Sequence, residues 1–234
     1  MTKKLFYTKY KGITSEMFLE DHNLTKGTKF NGSFMTCGFP SKTFLHLLGS
    51  NRKIDEALYS DKIPSNIKIA QPPEKSRSWS TGSICFTPDV AIIHLHLKKK
   101  GIPHRVLDKA LKAIIIKSFR KQGLDGITNG KGGSDWFLNI NGKLKKFGGM
   151  VNFNQGEYVF YALTISFRID YDLMQKIYKL DTPKMKQKGN IKNINEILVG
   201  IDEVKVMDRD LFLDDFACLL SDRLGLELVK KNNT

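Results

Sequence analysis

The stretch of residues 134–168 limits the fold more strongly than any other part of the sequence. Residues 134–140 alternate apolar and polar side chains, as a half-buried strand does. Asn141-Gly142 is a pair typical of a two-residue hairpin turn, and residues 143–151 then run back. Residues 158–168 alternate again, with one apolar face made of Val159, Tyr161, Leu163, Ile165 and Phe167. The pattern predicts a hairpin and a further strand in a largely antiparallel sheet.

Residues 103–121 carry the clearest helical periodicity in the chain. Apolar residues recur three and four positions apart, and lysines lie off that face. We expect further helices at 14–24, 170–180 and 208–224, and further strands at 30–37, 43–48, 66–70, 84–87 and 90–97. Because helices and strands alternate without a linker, we predict one α+β domain spanning 1–234, with a mixed, largely antiparallel sheet flanked by helices.

The charge balance is strongly basic. Lys and Arg number 38 and Asp and Glu number 24, which gives a net charge of +14. Such an excess favours an anionic partner, which is a nucleic acid, a phosphorylated ligand or an acidic protein. The sequence contains no RNP, helix-turn-helix or zinc-finger pattern, so nucleic acid is the least favoured of these partners.

The cysteine count and the hydropathy pattern indicate the compartment. Three cysteines are an odd number, and none forms a CxxC pair, which disfavours a disulfide framework and a thiolate zinc site. No apolar run approaches the ~20 residues that span a bilayer, and residues 1–12 have no apolar signal core. We therefore predict a cytoplasmic protein without a membrane partner.

Two segments have the composition of an anion-binding site. The loop from Arg77 to Ser83 combines small residues with an arginine, so its successive N–H groups are suited to cradle an anion, although an ordinary polar loop has the same composition. The segment 142–149 places Leu144 and Lys146 on one strand face and Lys143 and Lys145 on the other. A lysine directed into a pocket binds phosphate or carboxylate, and the alternative is a solvated hairpin tip.

Other polar residues carry weaker signals. The lysine-rich turn around Lys188 is typical of a solvated surface. His94 and His96 have His-x-His spacing, but no acidic or thiol residue lies close to them in the sequence. Cys85 has no adjacent histidine that would activate it, which favours a buried apolar role. We predict no metal site built from a cluster of protein side chains.

The order of these motifs resembles the catalytic domain shared by lipoate–protein ligases, biotin–protein ligases and octanoyltransferases. Residues 17–21 are similar to the family's Met-Ala-Leu-Asp-Glu helix motif, and the loop 77–83 to its Arg-Arg-x-Thr-Gly-Gly-Gly motif. Residues 134–149 are similar to the stretch from its Asn-Asp to its Gly-Lys-Lys-Ile-x-Gly motif, and 188–192 to its Lys-Gly-Val-Lys turn. The resemblance is closest to the lipoate–protein ligases.

The resemblance implies a role for individual residues. Lys146 corresponds to the family's characteristic lysine, which lies beside the acyl carboxylate and the α-phosphate, so it is the expected catalytic residue. Asp135 corresponds to the residue that helps to hold Mg and ATP. The expected ligand-binding residues are Arg77, Ser80, Thr81, Gly82, Ser83, Asp135, Gly148, Gly149 and Lys188.

The implied function is ATP-dependent activation of lipoate, or a related carboxylic acid, as an acyl-adenylate, followed by transfer to a lysine of an acidic lipoyl-carrier domain. No Cys lies between Cys85 and Cys218, which favours this route over an octanoyl or lipoyl transferase that uses an acyl-cysteine. Thr81 and Ser83 stand where the family has glycine, so a catalytically degenerate binding protein is the other alternative. Lipoate, octanoate and biotin are not distinguished, and we expect no C-terminal accessory domain.

Overall fold

The computed structural model describes residues 3–24, 32–47, 58–70, 83–99, 102–130, 133–186 and 191–231. Its strands are β1 (Lys4–Ile13), β2 (Ser33–Pro40), β3 (Phe44–Leu47), β4 (Lys68–Ala70), β5 (Ser83–Phe86), β6 (Val90–Lys98), β7 (Ile127–Asn129), β8 (Asp135–Ile140), β9 (Lys143–Gln155), β10 (Tyr158–Ser166) and β11 (Glu227–Lys231). Its helices are α1 (Ser15–Leu24), α2 (His104–Lys121), α3 (Tyr171–Ile177), α4 (Pro183–Lys186) and α5 (Arg209–Leu224), with 3-10 turns at Ser60–Lys62, Ile194–Glu196 and Ile201–Glu203.

The described strands form two sheets. The main sheet has eight strands in the order β11-β1-β2-β6-β10-β9-β8-β7. Strand β1 is parallel to both of its neighbours, and every other neighbouring pair in this sheet is antiparallel. The second sheet has the order β4-β3-β5, with β3 parallel to β4 and antiparallel to β5. The predicted α+β fold with a mixed, largely antiparallel sheet is confirmed.

Each face of the main sheet is covered by different elements. Helices α2 and α5 pack on one face, where the tilted rings of Phe119 and Phe212 are in contact with their centroids 4.5 Å apart. On the opposite face, Phe18 of α1 packs with Phe44 and Phe86 of the second sheet and with Ile92 of β6. Helix α3 covers the far side of the second sheet. The candidate site described below lies at the β8–β10 end of the second face.

Local sequence signals place several elements correctly. Asn141 and Gly142 form the turn between β8 and β9 with φ values of 51° and 81°, the left-handed pair that a type I′ turn requires. Helices α2 and α5 match the predicted bounds within one residue, and the side chain of Asp208 caps α5 by accepting from the Leu211 N–H. The predicted helix 170–180 ends earlier, at Ile177, because Tyr178 is extended and forms a bridge with Leu58.

Strands β1 and β11 are not assigned by the sequence analysis. Strand β1 buries Leu5 and Tyr7 and pairs with β2 and β11, but Lys9 and Lys11 follow at the same alternating positions and interrupt its apolar pattern. Strand β11 lies at the sheet edge and buries little, so it has no strong alternation either.

Among the described helices, none combines the length and the apolar character needed to cross a membrane.

Candidate functional site

An ion pair between β8 and β9 forms the centre of the candidate site. The Lys146 Nζ lies 2.7 Å from Asp135 Oδ1, and the two side chains are 34% and 41% exposed. A pair this accessible is screened by water and contributes little to stability. Both groups are therefore available to a ligand at small cost to the fold.

A β-bulge brings Lys146, Asp135 and Gly149 onto one face of the sheet. Lys146 pairs with Phe137, and Gly149 pairs with Asp135. Lys146 and Gly149 are three positions apart on β9, whereas their partners are only two positions apart on β8, so β9 contains one extra residue. The extra residue in β9 lets the Phe147 side chain enter the core on the helical face, where it is 1% exposed. Without this bulge, strict alternation would place Lys146 and Gly149 on opposite faces.

A distant segment fixes the backbone of Lys146. Its N–H donates to the Ile197 carbonyl at 2.8 Å, and its carbonyl accepts from the Val199 N–H at 3.0 Å. Residues 197–199 thus occupy the edge of β9 that β10 does not reach, since β10 pairs with β9 only from Gly148 onward. The sequence carries no local signal for this contact, which joins positions some fifty residues apart.

The lysines of the hairpin are separated as the alternation predicts. The side chain of Lys145 donates from Nζ to the Asn195 carbonyl at 2.6 Å, whereas Lys146 contacts Asp135. Leu144, which shares a face with Lys146, is 55% exposed. Lys146 is therefore directed over the sheet beside a carboxylate, while the apolar residue of that face lies in solvent at the hairpin end.

The two glycines after Phe147 have different surroundings. A Cβ built on Gly148 would lie 2.4 Å from the carbonyl oxygen of Thr164, so only glycine permits the observed approach of β9 and β10. A Cβ on Gly149 would lie 3.7 Å from the Ser134 carbonyl and 3.8 Å from Thr164 Oγ1, which are ordinary contacts. A methyl group at Gly149 would therefore fit without a clash, 3.9 Å from Oδ1 of Asp135, the carboxylate that pairs with Lys146.

A row of small and apolar residues leads away from the ion pair. Asp135 pairs with Gly149, Gly149 with Thr164, and Thr164 with Ile92, so these positions cross four neighbouring strands. The adjacent row is made of Val151, Ala162 and His94. Gly149, Val151, Ala162 and Thr164 are partly exposed. They form a floor, and we refer to these four residues as the site floor.

The floor ends at a cavity beneath α1. The cavity measures about 90 Å³ and is lined by four apolar residues, Ile13, Met17, Phe18 and Ile92, and by four polar residues, Tyr10, Glu20, Thr36 and His94. The sequence analysis missed the floor and the cavity. The alternation of 158–168 places Thr164 on the face opposite to the buried one, which is a signal for the floor, but no local pattern shows that α1 lies above β6.

Several predicted site residues lie outside the described part of the chain. These are Arg77, Ser80, Thr81, Gly82 and Lys188. Ser83 begins β5 and pairs with Leu47 of β3, so its backbone belongs to the second sheet. The described residues that the structure brings together are Lys146, Asp135 and Gly149, with Gly148 on the opposite face of β9.

His94 and His96 are packed among aromatic rings. The His94 ring lies 5.3 Å from Phe18 and 5.5 Å from Phe160, and the His96 ring lies 4.8 Å from Phe160. Within the described ranges, no group of three or more His, Cys, Asp and Glu side chains is positioned to hold a metal ion. Both histidines are buried, and His94 contributes to the packing under α1 through its contact with Phe18.

The buried cysteines are held as neutral thiols. Burial, with a smaller contribution from Asp170, raises the pKa of Cys85 to about 12, and burial raises the pKa of Cys37 to about 12 as well. Cys85 packs with Leu45 and Ile177 on the α3 side of the second sheet. A thiol in this state and place is a poor nucleophile for an acyl group at Lys146.

We expect alkylation at pH 8 to modify Cys218 and to spare Cys37 and Cys85 in the folded protein, because Cys218 is partly exposed and the other two are buried. Mass spectrometry of peptides after brief iodoacetamide treatment measures this directly. Cys85→Ser should leave intact the acyl transfer that the motif resemblance implies. A thioester trapped on Cys85 would contradict the acyl-adenylate route of that expectation.

The fold matches solved lipoate–protein ligases. A structure described as a bi-partite lipoate protein ligase and its E2 lipoyl domain from Thermoplasma acidophilum is 13% identical and superposes with a TM-score of 0.77, covering 100% of this chain and 88% of that chain. Lipoate-protein ligase A bound with ATP is 12% identical, with a TM-score of 0.72 and coverage of 100% and 90%. P. falciparum LipL1 in complex with lipoate is 12% identical, with a TM-score of 0.68 and coverage of 97% and 66%.

No protein-family model matches the sequence, and no curated protein matches it either. Identities of 12–13% lie in the range where a shared fold is established by structure alone. The match nevertheless extends over the whole described arrangement of the two sheets and their helices. The chain has the fold of the lipoate–protein ligases, the family that its motifs resemble.

Proposed function

We propose that this protein is a lipoate–protein ligase-like enzyme, which activates lipoate or a related carboxylic acid with ATP and transfers the acyl group to a lysine of a carrier protein. The observation that carries the proposal is the Lys146–Asp135 pair at one end of the site floor, whose other end is a cavity with Ile13, Met17, Phe18 and Ile92 among its lining residues. Such an acid requires a cation that binds its carboxylate and a cleft that holds its acyl chain.

The length of the floor suits a medium-chain acid. Two strand spacings separate β9, which carries Gly149, from β6, which carries Ile92, and this corresponds to about 10 Å. An extended acyl chain of about eight carbons has a similar length, because each C–C bond adds about 1.3 Å along the chain. An acid whose carboxylate contacts Lys146 therefore reaches the cavity with its distal end.

The charges of the site suit the activation step. In that step a carboxylate oxygen attacks the α-phosphorus of ATP, the bond to the β-phosphate breaks, and pyrophosphate leaves. The Lys146 ammonium is positioned to bring two anions together and to stabilise the charge that develops on the α-phosphate. Binding of ATP to the solved lipoate-protein ligase A of the same fold supports this proposal.

Magnesium fits the residues present. Mg²⁺ in phosphate-transfer sites is held by one or two carboxylates together with substrate phosphates, and Asp135 supplies a partly exposed carboxylate beside Lys146. When bound with ATP, the metal would neutralise phosphate charge. Asp135 would be the protein ligand that holds the metal, and Lys146 would contact the carboxylate and the α-phosphate.

The second step is aminolysis of the acyl-adenylate. The amine of a carrier lysine attacks the acyl carbon, the bond to the phosphate oxygen breaks, and AMP leaves. An E2 lipoyl domain accompanies the bi-partite ligase of T. acidophilum, and the net charge of +14 suits an acidic carrier. The octanoyl- or lipoyl-transferase alternative is less favoured, because Cys85 faces the α3 side of the second sheet.

The proposal predicts acid-dependent exchange of pyrophosphate into ATP. Lipoate or octanoate should support this exchange better than biotin or a short-chain acid, because the floor and cavity suit an extended chain.

Titration calorimetry with lipoate, octanoate and biotin should give dissociation constants weaker than about 1 μM, since Thr81 and Ser83 replace family glycines. Tighter lipoate binding would show that these side chains leave the pocket open. If no acid supports exchange, the degenerate binding-protein alternative replaces the ligase.

A further inference from the structure

The segment 197–199 lies between two sets of partners, as a short strand does. On one edge it exchanges two backbone hydrogen bonds with Lys146, as described above. The backbone groups of Leu198 have other partners, because its N–H donates to the Ile194 carbonyl at 3.0 Å and its carbonyl lies 3.4 Å from the Tyr171 hydroxyl. The segment that fixes Lys146 is therefore itself held on its second edge.

The Tyr171 hydroxyl connects this segment to a turn further along the chain. It donates to Glu203 Oε1 at 2.6 Å, and the same oxygen accepts from the Gly200 N–H at 2.7 Å. Because a hydroxyl has one proton, the short contact with the carboxylate is the dominant one, and it is charge-assisted. Burial and the hydrogen bond to Glu203 raise the pKa of Tyr171 above its usual value, so the hydroxyl keeps its proton and donates throughout the pH range of an assay.

Both partners of this hydrogen bond belong to packed elements. Tyr171 is the first residue of α3, which covers the second sheet. Glu203 belongs to a 3-10 turn that Ile201 anchors in the main core, where it is fully buried. In the same turn, the Asp202 carboxylate accepts from the Arg209 guanidinium at 2.7 Å. The hydrogen bond therefore joins the layer of the second sheet to the main core across the segment between them.

We infer that Tyr171 and Glu203 are positioning residues for Lys146, on which they act through the segment 197–200. The inference rests on the proposed function and deepens it, because it names the residues that set the position of its lysine. The backbone of Lys146 follows this segment, since two hydrogen bonds connect them. A displaced ammonium no longer contacts both the carboxylate and the α-phosphate, and such a misplacement slows the chemical step.

The test compares variants of this hydrogen bond with a matched control in the full chain. Tyr171→Phe removes the donor and Glu203→Ala removes the acceptor, whereas Glu203→Gln keeps an Oε1 atom that accepts from the same groups. The control is Tyr7→Phe, because the Tyr7 hydroxyl also donates to a carboxylate, that of Asp214 at 2.8 Å. Tyr7 lies on β1, four strands from β9 in the main sheet, and is 2% exposed, so its variant should lose at least as much stability.

We expect turnover in acid-dependent pyrophosphate exchange to fall about tenfold in Tyr171→Phe and in Glu203→Ala. The KM values for ATP and the acid should stay within about twofold of those of the unmodified protein, because the groups that bind them are still present. Glu203→Gln should restore turnover to within about twofold, and Tyr7→Phe should retain it. A purely structural role would instead lower turnover at least as strongly in Tyr7→Phe.

Amide hydrogen exchange measured by NMR tests the same inference without reference to activity. The N–H groups of Lys146 and Val199 form the two hydrogen bonds between β9 and the segment, so their exchange reports local opening there. We expect exchange at both positions to be about fivefold faster in Tyr171→Phe and Glu203→Ala, as the loss of one side-chain hydrogen bond allows. It should stay within about twofold of the unmodified protein in Glu203→Gln and Tyr7→Phe.

Unchanged turnover and unchanged amide exchange in Tyr171→Phe and Glu203→Ala would overturn the inference. So would an equal loss of turnover in Tyr7→Phe, which indicates a general effect of stability. Slower turnover without faster amide exchange at Lys146 also overturns it, because the effect then does not pass through the segment. If the unmodified protein shows no pyrophosphate exchange, the proposed function fails instead, and amide exchange at Lys146 alone decides whether Tyr171 and Glu203 hold this lysine.

Discussion

Lys146→Ala should abolish pyrophosphate exchange while leaving the protein folded. The ammonium is the cation at the end of the site floor, and loss of a single positioned donor of this kind typically slows the chemical step by about a hundred- to a thousandfold. Because the side chain is 34% exposed and its ion pair is screened, its removal should change the free energy of unfolding by less than about 1 kcal/mol. Exchange assays and urea unfolding measure the two effects separately.

Lys145→Ala is the matched control for that experiment. It removes the same charge from the neighbouring position, but its side chain contacts the Asn195 carbonyl and not Asp135. We therefore expect exchange close to that of the unmodified protein. A purely electrostatic loss of ATP affinity would reduce exchange in both variants alike, and retention of exchange in both would show that Lys146 is not the catalytic lysine.

Gly148→Ala should destabilise the protein, whereas Gly149→Ala should impair activity without destabilising it. At Gly148 the new Cβ meets the Thr164 carbonyl at 2.4 Å, so β9 and β10 must separate, and we expect a loss of about 3 kcal/mol in the free energy of unfolding. At Gly149 the Cβ makes ordinary contacts at 3.7 Å and beyond, and the loss of chain entropy in the unfolded state should leave stability unchanged or slightly raised.

The Gly149→Ala methyl group should instead obstruct the ligand. It would stand on the site floor beside Lys146, where the proposed acid would cross β9 with its carboxyl end. We expect the KM for the acid in the exchange assay to rise by about tenfold, in a protein that unfolds like the parent. Normal acid KM in Gly149→Ala would show that the acid does not cross the sheet at this position, and normal stability in Gly148→Ala would contradict the close approach of the two strands.

Local patterns in the sequence predicted the elements that depend on neighbouring residues. The spacing of apolar residues in 103–121 predicts the buried face of a helix, and Asn141-Gly142 predicts the hairpin turn that these residues favour. The family motif around Lys146 identified the candidate lysine. The helical and turn signals are readable because each involves side chains a few positions apart, whose relation is set by helix or turn geometry alone.

The elements that local patterns missed depend on partners distant in the chain. Strand β1 has lysines among its residues and is a strand because β2 and β11 complete its hydrogen bonds on both sides. Helix 170–180 is shortened because Tyr178 pairs with Leu58, a contact between separate segments. Neither effect leaves a periodic trace in the sequence, since the stabilising hydrogen bonds come from elsewhere.

By itself, the sequence determined the α+β class, the hairpin and the main helices, because local geometry sets them, whereas the choice of Lys146 as the candidate lysine came from its resemblance to a family motif. Only the tertiary structure decided what surrounds Lys146. The extra residue at Phe147 aligns Lys146 with Asp135 and Gly149, residues 197–199 hold its backbone, and α1 over β6 creates the cavity. Each of these depends on register and packing between distant segments, which alternation within a strand does not specify.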